Sequence, residues 1–473
     1  MFELHLPWLE MAIAAPLLAS LWAVLSRDPD RVRQITIIGS GLALVFALGA
    51  WEDFSLLRAF EAHDRWDFVS RIFGPNVVLI DELSAPLLPL TALLFFLTSF
   101  ATLRTKVRRF PFAGNLVLES LTLATLACRE PWAIIVLVSL QVLPLWFDLR
   151  SRGQCTRVFG IHMTLFVGLL VGSWALIGVQ QARQEPASLV AISMLIAAVL
   201  IRSGCCPVHC WLTDLFEKAS LGNSILFVTP MMGAYLAVRL VMPVAPAWAL
   251  QAIALASIFT AVYSAGMAIV QLDSRRYFGY LLLSNASLVL VGIEVATPIG
   301  LTGSLCVWLS VGLALTGLGL TLRAIETRVG RISLRDYHGL YNHMPLLATF
   351  FLLTGLASVG FPGTIGFVGL EMLVEGAVAV YPVVGMAVVI AALLNSIGIV
   401  RTYFRLFAGA EYPSTFSLGA RWPERVAVLV LAVLIIGGGL FPQPGVSSRF
   451  HAAKELINRS SQTSGSPAVQ AGH

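Results

Sequence analysis

Residues 345–378 read PLLATFFLLTGLASVGFPGTIGFVGLEMLVEGAV, with two carboxylates (Glu371 and Glu375) and no basic residue. About 20 apolar residues in a helix cross the ~30 Å of hydrocarbon in a bilayer. This run is long enough, but Gly360-Phe361-Pro362-Gly363 interrupts it. Gly and Pro free backbone groups that hydrocarbon cannot satisfy, so such a break must be buried in protein or line a hydrated cavity. A second apolar run, 187–203, ends in Ser203-Gly204-Cys205-Cys206-Pro207. Paired breaks at corresponding positions of two halves are the sequence mark of an inverted-repeat transporter.

The rest of the chain reads the same way. Of 473 residues, 57% are hydrophobic and 12% charged, with a mean hydropathy of +0.83. A soluble globular protein carries about 25% charged residues, so a soluble enzyme, a coiled coil and a disordered scaffold are excluded. Fourteen candidate spans lie near 8–26, 34–51, 84–103, 112–128, 132–148, 158–178, 187–203, 222–242, 248–271, 277–295, 299–322, 345–378, 381–400 and 426–441. They are long runs without the polar alternation of barrel strands, so they read as helices. The expectation is an all-α polytopic membrane protein of about 14 transmembrane helices. It divides into helices 1–3 (1–111), a five-helix repeat of helices 4–8 (112–243) and an inverted five-helix repeat of helices 9–13 (244–408), with helices 7 and 12 broken. Helix 14 and its flanks fill 409–453, and a polar tail, 454–473, reads as disordered.

Loop charge sets the orientation. The odd-numbered loops hold 21 basic residues, the even-numbered loops five (Arg58, Arg65, Arg71, Arg129 and Arg183). By the positive-inside rule both termini face outside a cell inner membrane. The formal charge of +5 therefore reflects topology, and no nucleic-acid partner is expected. Met1 to Glu10 shows no basic segment or small-residue cleavage site of a signal peptide. Cys128, Cys155, Cys205, Cys206, Cys210 and Cys306 show no disulfide framework. His209 among Cys205, Cys206 and Cys210 matches no standard zinc spacing, so no metal is expected. No nucleotide loop, flavin motif, cluster-binding cysteines or nucleophile triad marks an active site or cofactor.

Several strings together resemble one family. They are IDELSAPLLPLTALLFFL (80–97), CCPVHCWLTDLFEKASLGNSILFVTPMMGAY (205–235), DSRRYFGYLLLSNASLVLVGI (273–293), MPLLATFFLLTGLASVGFPGTIGFVGLE (344–371) and RWPERVAVLVLAVLIIGGGLFPQP (421–444). The resemblance is to the antiporter-like membrane subunits of complex I, the proton-pumping NADH:quinone oxidoreductase, nearest the chain 4 (subunit M) type. Mrp-type antiporter, membrane-bound hydrogenase and Dab-type inorganic-carbon-pump membrane subunits share that family. The resemblance implies a subunit moving protons or cations along a buried axis beside other membrane subunits, with a soluble or peripheral catalytic subunit as a further partner. It implies relay charges on helices 5, 7, 8 and 12, since ionisable groups that persist in a membrane face the bundle interior. No long lateral helix is expected after span 14.

Most relay positions are changed here. The helix 5 glutamate falls at Ser139, the helix 7 lysine at Arg202, the helix 8 lysine at Met231 and the helix 12 charge at Leu370. The histidines of helices 10 and 11 fall at Asn285 and about Val311. Arginine holds a charge but cannot relay one. Glu371 lies one residue past the helix 12 position, a turn of about 100° on a helix. The proton-path candidates are Glu119 in span 4, Arg202, His209 just past the first break, and Glu371. Each has a bland counterpart: a carboxylate bonded to neighbours for Glu119, structural ion pairs for Arg202 and Glu371, a packed imidazole for His209. Glu10, Arg239, Glu294 and Glu375 lie near helix ends and read as snorkelling or partner-contacting groups. Three functions follow: an antiporter-like subunit with a degenerate relay, a non-conducting structural membrane module, or the membrane subunit of an inorganic-carbon or hydrogenase-type complex.

Overall fold

The computed structural model describes residues 2–74, 77–103, 110–295, 297–410, 412 and 418–463. Arg104, Lys106, Arg108 and Arg109 of the third loop lie outside the described residues, as does 464–473. Each of the fourteen candidate spans is helical. Among the described residues ten helical stretches are long and apolar enough to cross a membrane, from Trp8–Leu25 to Trp422–Leu440, and shorter apolar helices include Leu87–Phe100, Phe112–Leu126, Leu189–Ser203 and Pro345–Ser358.

Burial separates the spans into an inner and an outer set. Spans 8, 10 and 11 (Leu221–Val241, Ser274–Ile293 and Pro298–Val329) are 94, 89 and 94% buried over their apolar windows. Spans 1, 2, 13 and 14 are only 33% buried and present Leu18, Leu25, Val383 and Leu440 outward. Leucine and valine facing outward are what a lipid-covered perimeter requires. Without a hydrophobic force between helices in lipid, small residues set the close contacts. A Cβ on Gly317 of span 11 would come within 2.7 Å of the Thr354 side chain of span 12, so only glycine fits that approach.

Contacts between loops sort the two ends of the bundle. At one end Arg275 pairs with Glu326, Arg276 with Glu217, and Arg328 with Glu424, while Arg33 and Arg323 both reach Thr102. All of these belong to odd-numbered loops or the span ends beside them. At the other end Asp53 takes bonds from His5 and Trp8, Asp64 caps the first helix through Leu9 N–H and Glu10 N–H, and Asp81 forms a bidentate pair with Arg239. The N-terminal strand sits at this second end, where Arg449 of the last helix also reaches the carbonyls of Glu82 and Leu83.

Three features depart from the sequence expectation. A small sheet of β1 (Phe2–Glu3), β2 (Glu61–His63) and β3 (Ile80–Asp81) closes the terminal end, β1 parallel and β3 antiparallel to β2. Its strands lie at the N-terminus and in the long polar insertion, where extended backbone satisfies its groups by pairing. Span 8 is broken, Leu221–Val228 giving way to Met232–Leu236 and a π-helical turn, Ala237–Val241. Pro230 lacks the N–H that would continue the helix, and Met231 takes a left-handed φ of 51°. The tail expected to be disordered from 454 is helical through Thr463, as part of Gln443–Thr463. Ala452, Ala453, Leu456 and Ile457 form an apolar stripe packed on the core, and Arg449 is held by the carbonyls of Glu82 and Leu83. That stripe recurs at helical spacing inside a polar sequence, which masks it in composition.

Candidate proton path

Span 7 runs as Leu189–Ser203, ends at Gly204 with φ 72°, and resumes as Cys210–Lys218. Gly204 can take this left-handed conformation because it has no Cβ. Arg202 lies one turn before the break, 3% exposed. Its guanidinium sits 4.0 Å from the centroid of Phe227 in span 8 and donates to the Phe227 carbonyl at 3.3 Å. A cation over an aromatic face is stabilised by the ring quadrupole, and no carboxylate completes an ion pair with it among the described residues. Arg202 is therefore a fixed positive charge in the interior, and the structural ion pair expected for it is absent among those residues.

Glu119 is fully buried on Phe112–Leu126. Ser40 of span 2 donates to its Oε2 at 2.5 Å, and Oε1 has no partner among the described residues. One lone pair set is thus free for an exchanging proton donor. His209, 9% exposed, lies in the turn of the break with its ring 5.4 Å from Tyr263 and 6.0 Å from Tyr280 of spans 9 and 10. Glu119, Arg202 and His209 each contact a different neighbouring helix, and no hydrogen bond or ion pair joins them directly. Ser139 only donates back to Ile135 O, so the helix 5 position contributes no proton carrier. Gln141, two residues on and fully buried, donates to Thr125 Oγ1 at 2.8 Å and ties span 5 to the helix of Glu119. Sequence reasoning missed Gln141, although a lone amide in an apolar run is a signal. Cys205 is buried against Ser257 while Cys210 is exposed, so the thiols do not converge on His209.

The second half is organised differently. Pro345–Ser358 and Ile365–Val380 flank the break, with Gly360 and Gly363 at φ 76° and 84°. Half-buried Leu370 shares a cavity of about 10 Å³ with Asn285, Ser310, Val311 and Ser358, and its other side borders an open outer cleft. A water needs about 10–15 Å³, so this space holds one at most. The positions the resemblance assigns to charges on helices 10, 11 and 12 thus converge, but neutral side chains occupy them. Asn285 donates back to Leu281 O at 2.9 Å, and nearby Asn395 donates to Ser284, which donates to Ala261 O. Glu371 points the other way. With Glu375 it is exposed on the outer face of Ile365–Val380, along an open cleft beside Phe367 and Val378.

Other buried carboxylates are paired at the bundle ends, Asp81 with Arg239, Asp148 with Arg152 and Glu424 with Arg328. Burial alone would raise the pKa of Asp81, but the Arg239 guanidinium and Ser84 outweigh it and hold the carboxyl at about 2. Asp148 accepts from Arg152, Asn223 and Ser220 N–H and fastens span 5 to the turn before span 8.

Broken helices packed among apolar helices long enough to cross a membrane, with buried ionisable groups between them, define an integral-membrane protein of the transporter type. The pattern of the NADH:quinone oxidoreductase/Mrp antiporter transmembrane family matches residues 158–395. The chain belongs to that family. It is 24% identical to the NADH-quinone oxidoreductase subunit M of Pseudomonas aeruginosa over 93% of this chain and 94% of that one. Its fold is similar to a chain of respiratory complex I from Thermus thermophilus, with a TM-score of 0.81, 21% identity and coverage of 96% and 99%. It is also similar to a chain of the Mrp complex from Dietzia, with a TM-score of 0.83, 19% identity and coverage of 96% and 98%.

Proposed function

We propose that this chain is the antiporter-like membrane subunit of a complex-I-related assembly and that it passes protons, or a cation coupled to them, through its first half only. The observation that carries this reading is Glu119: a fully buried carboxyl with one oxygen bonded to Ser40 and the other unpartnered. Its proton can leave and return without breaking an ion pair. Arg202, on a different helix, holds a fixed positive charge in the interior, and His209 offers an exchangeable imidazole at the break. Water must bridge the gaps, since these groups do not touch. Chemistry that drives transport belongs to a soluble or peripheral partner. We further place the membrane as an inner membrane with both termini outside, and read 112–243 and 244–408 as inverted repeats.

The test is coupled proton uptake by proteoliposomes holding the assembled complex. Glu119→Gln should lower uptake at least tenfold while the complex assembles normally; native uptake in that variant removes the carboxyl from the path. A second reading, a structural module that conducts nothing, is favoured by the neutral lining at Leu370, Asn285 and Val311. It takes over if neither the native complex nor the Glu119→Gln variant takes up protons.

A further inference from the structure

Glu371 and Glu375 stand one helical turn apart on Ile365–Val380, both exposed, and neither has a hydrogen-bond or ion-pair partner among the described residues. The helix ends at Tyr381, whose hydroxyl takes a bond from Gln251 of span 9, an aromatic residue where a membrane interface favours one. At 1.5 Å per residue, Glu375 lies about 8 Å and Glu371 about 14 Å inside that end. Half the hydrocarbon thickness is about 15 Å, so Glu371 lies near the midplane. A glutamate side chain is too short to reach water from there. Two unpartnered carboxylates facing acyl chains are costly, and charged groups at such depth persist by pairing.

We propose that this face of Ile365–Val380 is a docking surface for a membrane-spanning helix of another subunit, one that presents a basic side chain at the depth of Glu371. The inference rests on the chain being part of an assembly, as proposed above. Charge decides the occupant. A lipid tail offers no counter-charge. A second copy of this chain does not either, because Arg202, its basic residue nearest the middle of a span, is buried against Phe227. The cleft beside the carboxylates, about 680 Å³ and lined by Phe367, Leu370, Val374 and Val378, provides apolar room for the partner's side chains.

Dicyclohexylcarbodiimide tests this, because it partitions into hydrocarbon and adds to carboxyls it can reach there. The full chain alone in phosphatidylcholine vesicles should be labelled at Glu371 or Glu375, read by peptide mass spectrometry. In native membranes holding the assembly, labelling should fall at least tenfold. Equal labelling in both overturns the proposal, and protection in the isolated chain assigns the face to a second copy and overturns it too. Independently, the double variant Glu371→Lys, Glu375→Lys should lower this chain's share of the complex on native gels at least tenfold, with Glu371→Asp retaining it. Incorporation of the lysine variant at the native level contradicts a basic partner. Neither readout needs proton transport: protected carboxylates in a complex that pumps nothing keep the docking surface and remove the transport reading, while unprotected carboxylates beside a defective Glu119→Gln variant do the reverse.

Discussion

The two halves share one device, an apolar helix broken at glycine and proline, yet their interiors hold opposite contents. In the first, Glu119 and Arg202 bring a carboxyl and a guanidinium into the interior with one side-chain or carbonyl partner apiece. In the second, Asn285, Val311 and Leu370 close on a space of about 10 Å³, and the nearest carboxylate, Glu371, has turned outward. A broken helix is therefore a backbone device that tolerates either content. Whether it carries charge depends on single positions, and one residue of displacement is enough to move a charge from axis to surface.

The comparison can be broken by putting a charge where the second half has none. Val311→Lys places an unpaired ammonium in a space that holds one water at most and should cost about 3–5 kcal/mol of stability, seen as a fall in the unfolding temperature of the purified chain in detergent. Stability equal to native would show the second centre to be hydrated. The bundle ends supply the contrasting case of a well-paired charge. Asp81→Asn leaves Arg239 buried without its partner and should also cost about 3–5 kcal/mol. Because the folded pKa of Asp81 is lowered to about 2 from an ordinary 3.8, its contribution is complete above pH 4 and fades as pH falls through 2. An acid titration of native and Asp81→Asn chains should converge over that window.

Smaller changes sharpen the picture of the first half. Arg202→Met removes a buried cation without breaking an ion pair, so stability should stay level or rise by about 1–4 kcal/mol while proton uptake falls. A loss of stability instead would mean that Arg202 is a structural clamp. Ser40→Ala removes the only hydrogen bond to the Glu119 carboxyl among the described residues and should cost about 1 kcal/mol, with a several-fold fall in uptake and no change in assembly.

Much of this arrangement is legible in the sequence, and the limits have physical causes. Run lengths and charge-free stretches mark fourteen spans because hydrocarbon enforces both. The breaks after Arg202 and at Pro362 show as glycine-proline clusters, whereas the break at Met231 hides behind the single Pro230. Burial of Glu119 follows from its apolar surroundings, but its partner Ser40 lies 79 residues away on another helix, a contact that only packing creates. The outward turn of Glu371 is implicit in a shift of about 100°, but its exposure depends on where neighbouring helices stand. The final helix was masked by its polar composition, although Ala452, Ala453, Leu456 and Ile457 carry the helical period that docks it.

The central claim is that protons pass the first half and not the second. It is tested most directly by one assay, coupled proton uptake in proteoliposomes of the assembled complex, run on Glu119→Gln and Asn285→Leu side by side. The expected result is at least a tenfold loss for Glu119→Gln and native uptake for Asn285→Leu. Native uptake in Glu119→Gln with a loss in Asn285→Leu would contradict it.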